Sequence, residues 1–295
     1  MGIVPLHWET CAHAPALAAA RERVHWLPDP GPWRYLADPF GIRKGNTAHV
    51  FVEAFDYRDK HAVIEHHQIE VGSGMIWRGC EVVLQGPQHL SYPFLIEHGG
   101  EVFMIPECHR SREVALYRAR KFPGDWVRET TLLKGLPVAE PSVVQHAGKW
   151  WMFFTLVGAQ ARDQRELHLA YAERLTGPWT IHPQNPVVED KGGARPGGTP
   201  LIGRDGKVLL PVQDCRESYG GGLRFLRFSV LETDRVIAEL LPAALSGALV
   251  SDTHTAGFHT FAQCGELTLI DTKRVVRSRA RTWIDWRRRL KRLVG

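Results

Sequence analysis

A strand-and-turn pattern recurs five times along these 295 residues. Asp38-Pro39-Phe40 leads to a turn at Lys44-Gly45-Asn46 and then to His49-Val50-Phe51-Val52-Glu53. The same order returns in Tyr92-Pro93-Phe94, Gly99-Gly100 and the run from Val102 to Glu107. It returns again in Glu140-Pro141-Ser142, Gly148-Lys149 and Trp150 to Thr155, and in Arg195-Pro196-Gly197, Asp205-Gly206 and Val208 to Asp214. A weaker fifth copy is His259-Thr260-Phe261, Gly265 and Leu267 to Lys273. The copies begin 54, 48, 55 and 64 residues apart. A period of roughly 50 residues, with strands punctuated by glycine turns, is the sign of a β-propeller. The pattern predicts an all-β chain: a five-bladed β-propeller over residues 24–276, preceded by an N-terminal extension (1–23) and followed by a short basic amphipathic helix (277–295).

The repeat fills nearly the whole chain, so a single domain is expected although the length would accommodate two. Five scattered cysteines, Cys11, Cys80, Cys108, Cys215 and Cys264, form no C-x-x-C pair. That speaks against a zinc site and against a disulfide framework, and no metal or other cofactor is expected. With no secretory pattern at the first residues, the expectation is a cytoplasmic protein in a reducing compartment. No apolar run approaches the length of a membrane span.

The excess positive charge is local. Eight basic residues and one acid between Arg277 and Arg292 give that segment +7, which leaves −2 for the rest of a chain whose net charge is +5. Trp283, Trp286, Leu290 and Leu293 recur there at helical spacing. Such a helix either packs on the propeller with a solvated basic face or docks on an anionic membrane surface. Nothing else in the chain suggests nucleic-acid binding, and none is expected.

Four strands per blade fit blades one to four. Blade five shows two clear strands, and Val24-His25-Trp26-Leu27 is expected to complete it and latch the ring, which removes exposed strand edges. Proline is tolerated at a strand's first residues, so the residue before each marker belongs at a strand entrance near the channel mouth. Those residues are Asp38, Tyr92, Glu140, Arg195 and His259. The ends of the second strands add Glu53, Glu107, Thr155, Asp214 and Lys273. Buried charge is costly unless paired, so ionisable groups at repeat-fixed positions point to a site, with inter-blade ion pairs such as Asp214–Arg195 as the plain alternative.

The predicted mouth is polarised. Asp38, Glu53, Glu107 and Glu140 lie on the first three blades, and Arg195, His259 and Lys273 on the last two. Clustered carboxylates push one another's pKa apart, which suits acid and base roles in glycosidic-bond chemistry. The basic half suits a carboxylate or phosphate on the ligand. Tyr92, Trp33 and Tyr35 offer flat faces to a sugar ring.

A set of local motifs carries a resemblance. They are Tyr35-Leu36-Ala37-Asp38-Pro39-Phe40, Leu90-Ser91-Tyr92-Pro93-Phe94, Ile105-Pro106-Glu107, Gly177-Pro178-Trp179, Ala194-Arg195-Pro196-Gly197-Gly198 and Gln213-Asp214-Cys215. Across roughly residues 24–274 the chain resembles the five-bladed propellers of glycoside hydrolase families 43, 32, 62, 68 and 130. It is more similar to bacterial family-43-like proteins related to the N-terminal domain of plant glucosamine inositolphosphorylceramide transferase. The resemblance implies a general base at Asp38. The family's third-blade Asp is replaced by Glu140, and its fourth-blade catalytic Glu by Arg195, so another carboxyl must protonate the leaving group. Glu107, then Glu140, then Asp214 are the candidates. The expected function is a glycosidase-like enzyme acting on an acidic or phosphate-bearing sugar, with Glu53, Tyr92, Arg195, Asp214, His259 and Lys273 binding substrate. The alternatives are glycosyl transfer or phosphorolysis on a glycolipid intermediate, and a non-catalytic sugar-binding module serving a glycosyltransferase.

Overall fold

The computed structural model describes residues 1–158, 165–276, 282–284 and 286. Five antiparallel sheets form the blades of a propeller. Blade one is Arg34–Lys44, Thr47–Asp56, His61–Val71 and Met75–Leu84; blade two is Ser91–His98, Glu101–Glu107, Glu113–Lys121 and Gly124–Lys134. Blade three runs Val138–His146, Lys149–Leu156, Glu166–Ala172 and Thr180–Ile181, with Val188–Glu189 also pairing the third strand. Blade four begins with two short pieces, Arg195–Pro196 and Leu201–Ile202, both on Val208–Asp214, followed by Gly222–Leu231 and Val236–Leu245. Inner strands of successive blades neighbour one another, and that of blade five, Gly257–Cys264, lies against Arg34–Lys44 of blade one.

Ring closure uses more of the N-terminus than the sequence pattern indicated. The strand beside Leu267–Lys273 is Gly2–Val4, and His25–Trp26 forms the outermost strand beyond it. Three residues are too short for a hydrophobic alternation to register, which is why the pattern misses them. Between these strands the helices Trp8–Cys11 and Ala14–Ala19 bury Trp8, Cys11 and Leu17 against blades four and five.

Apolar faces meet between blades. Phe51, Met104 and Trp126 fill the space between blades one and two, and Trp151, Phe153, Leu210 and Phe228 that between three and four. Blade four is joined to blade five through backbone: Phe261 N–H donates to Gly197 O at 2.8 Å and Thr199 N–H to Phe261 O at 3.2 Å. Gly198, at φ 143°, lies so close that a Cβ there would sit 1.8 Å from Phe261 O. Only glycine fits that approach.

Of the C-terminal basic segment, Thr282, Trp283, Ile284 and Trp286 are helical, and the remainder lies outside the described residues. Ile284 is buried and Trp283 tilts against Trp33 with ring centroids 6.0 Å apart. Among the described residues no helix is long and apolar enough to cross a membrane.

Candidate active site at the propeller mouth

Three blades present their marker residue in the same unusual way. Asp38, Tyr92 and Glu140 have φ of 52°, 45° and 52°. Each sits where the inner strand bulges against the second, between Ala37 and Phe40, Ser91 and Phe94, and Ala139 and Ser142. A left-handed conformation at a non-glycine residue costs on the order of 1–3 kcal/mol, and bulges re-aim side chains next to functional sites. The repetition re-aims the marker side chain in the same way in each of the three blades.

Asp38 and Glu140 anchor a charge network. Thr260 Oγ1 donates to Asp38 Oδ1 at 2.9 Å, and His259 Nδ1 lies 2.9 Å from the same oxygen and 3.7 Å from Asp271 Oδ2. Asp38 Oδ2 has no hydrogen-bond partner among the described residues. Glu140 Oε1 accepts from Gln213 Nε2 at 2.7 Å and from the Tyr219 hydroxyl at 3.1 Å. Glu140 Oε2 lies 2.8 Å from Arg195 Nε, an ion pair too bent for a straight hydrogen bond. Tyr219 links the two halves. Its hydroxyl lies 2.8 Å from His259 Nε2, and the Arg195 guanidinium stacks 4.9 Å from its ring centroid.

Glu107 holds the neighbouring blade in place. Its Oε2 accepts the Glu140 backbone N–H at 2.9 Å, and its Oε1 lies 3.1 Å from His109 Nδ1. Glu53 Oε1 accepts from the Tyr35 hydroxyl at 3.1 Å and lies 3.4 Å from His89 Nε2. Among the described residues, Glu53 Oε2 has no hydrogen-bond partner.

These surroundings separate the protonation states. Burial opposes the charge on Asp38, but the His259 charge and the hydrogen bonds from His259 and Thr260 outweigh it and hold the carboxyl below the usual range. Burial raises Glu53 well above that range, and the Asp38 charge adds to the rise. Burial likewise raises Glu140, against the pull of Arg195, and raises Asp271. For His259 burial is overcome by Asp38 and Asp271, which push the imidazole up to about 9. The protonated ring therefore supplies positive charge between Asp38 and Asp271, and the three residues, whose donor atoms lie within 4.8 Å of one another, would hold a cation only with the imidazole neutral.

Several residues read from the sequence stand elsewhere. Tyr92 is fully buried, and its hydroxyl binds Ser142 Oγ at 2.8 Å and accepts Gly198 N–H at 2.7 Å. It ties blades two, three and four together and shows no face to a ligand. Asp214 turns outward to a two-pronged contact with Arg216, because Arg195 pairs with Gln213 and the strand alternation sends the next side chain away. In blade five the bulge between Phe258 and Thr260 sets Asp271 opposite Thr260, while Lys273 donates from outside the cluster to the Tyr219 carbonyl. Thr155 bonds the Glu166 carbonyl at 3.2 Å. The cations reserved for an anionic ligand are thus engaged: Arg195 with Glu140, His259 with Asp38, Lys273 with backbone.

Sequence reasoning passed over Tyr219 and Asp271. The signal for Tyr219 is the glycine run behind it. Gly220, at φ 59°, faces His259, and a Cβ there would lie 2.5 Å from the imidazole Cδ2, so only glycine brings the Tyr219 loop onto the ring.

The family described as glucosamine inositolphosphorylceramide transferase 1, N-terminal, matches residues 26–244. Glucosamine inositolphosphorylceramide transferase 1 of Oryza sativa subsp. indica is 34% identical over 211 residues, covering 68% of this chain and 27% of the relative. Its Arabidopsis thaliana counterpart is 30% identical over 224 residues, covering 74% of this chain and 28% of the relative. The chain therefore spans little more than a quarter of the length of these relatives. An exo-β-1,3-galactanase from Clostridium thermocellum shares the fold at TM-score 0.55 and 12% identity, over 70% of this chain and 49% of that one. A family 117 glycoside hydrolase from Zobellia galactanivorans does so at TM-score 0.52 and 15% identity, over 70% and 69%.

Proposed function

Because the chain belongs to the N-terminal family of glucosamine inositolphosphorylceramide transferase 1, we propose that it is a glycosidase-like, carbohydrate-active module whose propeller mouth performs acid/base chemistry on the sugar of a glycan or glycolipid. One observation carries this reading. Asp38 and Glu53 stand on paired strands of one blade, each keeps one oxygen without a hydrogen-bond partner among the described residues, and their environments push their protonation in opposite directions. Such a divergence marks base and acid.

In this scheme Asp38 Oδ2 takes a proton from the attacking water or acceptor hydroxyl. Glu53 Oε2 gives its proton to the leaving oxygen as the glycosidic bond breaks. Tyr35 fixes the Glu53 carboxyl, and His259 with Thr260 fixes Asp38. Glu107 and Glu140 are poor acids here because both oxygens of each are already engaged. They orient the mouth instead. The test is turnover of aryl glycosides and of glycolipid headgroups by the wild type, Asp38→Asn and Glu53→Gln. Loss of turnover with retained sugar binding in both variants supports the scheme, and full activity in either overturns it.

The names of the relatives favour a second, finer reading, in which the sugar bears phosphate. Its phosphate would then replace Glu140 on Arg195. Arg195→Ala should weaken an anionic sugar more than its neutral analogue, by about 10–150-fold for a charge-assisted bidentate contact worth roughly 1.5–3 kcal/mol. Equal losses would leave Arg195 with a structural role beside Glu140 and Tyr219. The basic C-terminal segment supplies attraction to an anionic membrane surface in the same reading. Sedimentation with phosphatidylserine vesicles, with and without residues 277–295, tests it.

A further inference from the structure

On the outer half of blade one, away from the mouth, a second cluster of polar side chains stands apart from the charge network. Pairing of His61–Val71 with Met75–Leu84 sets His67 opposite Cys80, and Glu65 falls on the same face as His67, two residues away. Glu65, His67 and Cys80 each offer a donor atom, and the three lie within 4.8 Å of one another. Arg34 donates to Glu65 Oε1 at 2.5 Å, which fixes the carboxylate with Oε2 toward the imidazole, 3.5 Å from His67 Nε2. That nitrogen is the telling atom. His67 is 3% exposed, yet Nε2 has no hydrogen-bond partner among the described residues. Buried ring nitrogens are nearly always satisfied, and one that is not needs a reason. Cys80 is exposed, which gives an ion a way in.

We propose that Glu65, His67 and Cys80 form a binding site for a divalent transition metal, zinc by its chemistry, with solvent completing the tetrahedron. A thiolate, an imidazole and one carboxylate select zinc or cobalt over calcium or magnesium, which take oxygen ligands only. On binding, the Cys80 thiol releases its proton to solvent as the sulfur–metal bond forms, so uptake acidifies the medium by one proton per ion. Coordination through Nε2 moves the His67 ring proton to Nδ1. Trp77 now donates to that atom at 3.2 Å, and its indole, on the outermost strand and 38% exposed, has room to turn away. The ion would staple the outer two strands of blade one. The absence of a C-x-x-C pair does not exclude such a site, because the ligands meet across a hairpin rather than along the chain.

The experiment is a cobalt(II) titration of the purified, chelator-stripped chain followed by absorption. The expected result is one equivalent giving tetrahedral d–d bands and a thiolate-to-cobalt charge-transfer band, both lost on adding zinc. Cys80→Ser should abolish the charge-transfer band, and His67→Asn should weaken binding by more than about 10-fold. Cys108→Ser, at a partly exposed thiol elsewhere, should change nothing. A charge-transfer band that survives Cys80→Ser, or no band with the wild type, overturns the proposal. Since Cys80 is exposed, its variant tests the site even if His67→Asn fails to fold.

Discussion

His259 Nδ1 stands 2.9 Å from Asp38 Oδ1, and this contact crosses the seam where the last blade meets the first. The base proposed for the chemistry is therefore held by a side chain from the far end of the ring. The first prediction concerns its titration. The His259 pKa rises on folding from an ordinary 6.5 to about 9. Its contribution is then fully present below about 6.5 and fades as pH rises through about 9. The difference in unfolding free energy between wild type and His259→Gln should shrink over that interval, by at most about 3 kcal/mol. Urea unfolding at several pH values measures it, and a constant difference would show that the imidazole is neutral in the fold.

Asp38→Asn should lower turnover by about 10²–10⁴-fold, the usual effect of removing a general base. Viewed only as one carboxylate among several, Asp38 would be dispensable for stability. Its pairing with His259 changes that expectation. The variant should lose more melting temperature at pH 6, where the imidazole is charged, than near pH 9.5. Equal losses at both pH values would separate Asp38 from the His259 charge.

Glu53→Gln should remove the proton donor while keeping the Tyr35 hydrogen bond. Substrates with a good leaving group, which need little protonation, should retain most of their rate, while those with a poor one should lose about 10²–10⁴-fold. The limb of the pH profile on which activity falls at high pH should vanish with it. A uniform loss across leaving groups would assign the acid role elsewhere.

Among the described residues, Arg195→Ala leaves buried Glu140 with only the more distant His259 imidazole, 3.9 Å from Oε1, as a cationic neighbour, and breaking a buried pair costs up to about 3–5 kcal/mol. Glu140→Gln in the same chain should recover part of the loss, since the neutral amide no longer needs the guanidinium. Chemical denaturation of the four-member cycle reads the coupling. Additive losses would mean that the 2.8 Å ion pair contributes little.

Gly198→Ala forces a Cβ into the Phe261 carbonyl at the junction of blades four and five. It should destabilise by more than about 3 kcal/mol, at the far tail of single substitutions. Gly72→Ala, at a bend with open space around it and no left-handed φ, should cost far less. Matching thermal shifts for the two would refute the crowding.

The architecture was legible because the repeat is long and its markers are local. The prolines after Asp38, Tyr92 and Glu140 lie at the bulges that define the inner strands. The mouth was legible only where the register repeats that of blade one, bulge included, with Ala37 opposite Glu53, Ser91 opposite Glu107 and Ala139 opposite Thr155. Asp38, Glu53, Glu107 and Glu140 obey it. Asp214 and Lys273 do not, because one step of register flips a side chain to the opposite face. Their places are taken by Gln213 and Asp271, which no spacing argument selects. Tyr219 reaches the cluster from a loop with no periodicity. Partnering was visible only in kind: the sequence offers an inter-blade ion pair for Arg195, as with Asp214, and the structure makes it with Glu140.

The fifth blade is woven from both chain ends, with Gly2–Val4 beside Leu267–Lys273, and this sets an order of events. Such distant pairing is slow to form. His259 and Asp271 belong to that blade, so the corner they make with Asp38 assembles only when the ends meet. Until then these charges stay hydrated, and partly folded chains are spared the burial of unmatched ions. A chain that has not closed its ring therefore lacks the corner in which His259 bridges Asp38 and Asp271.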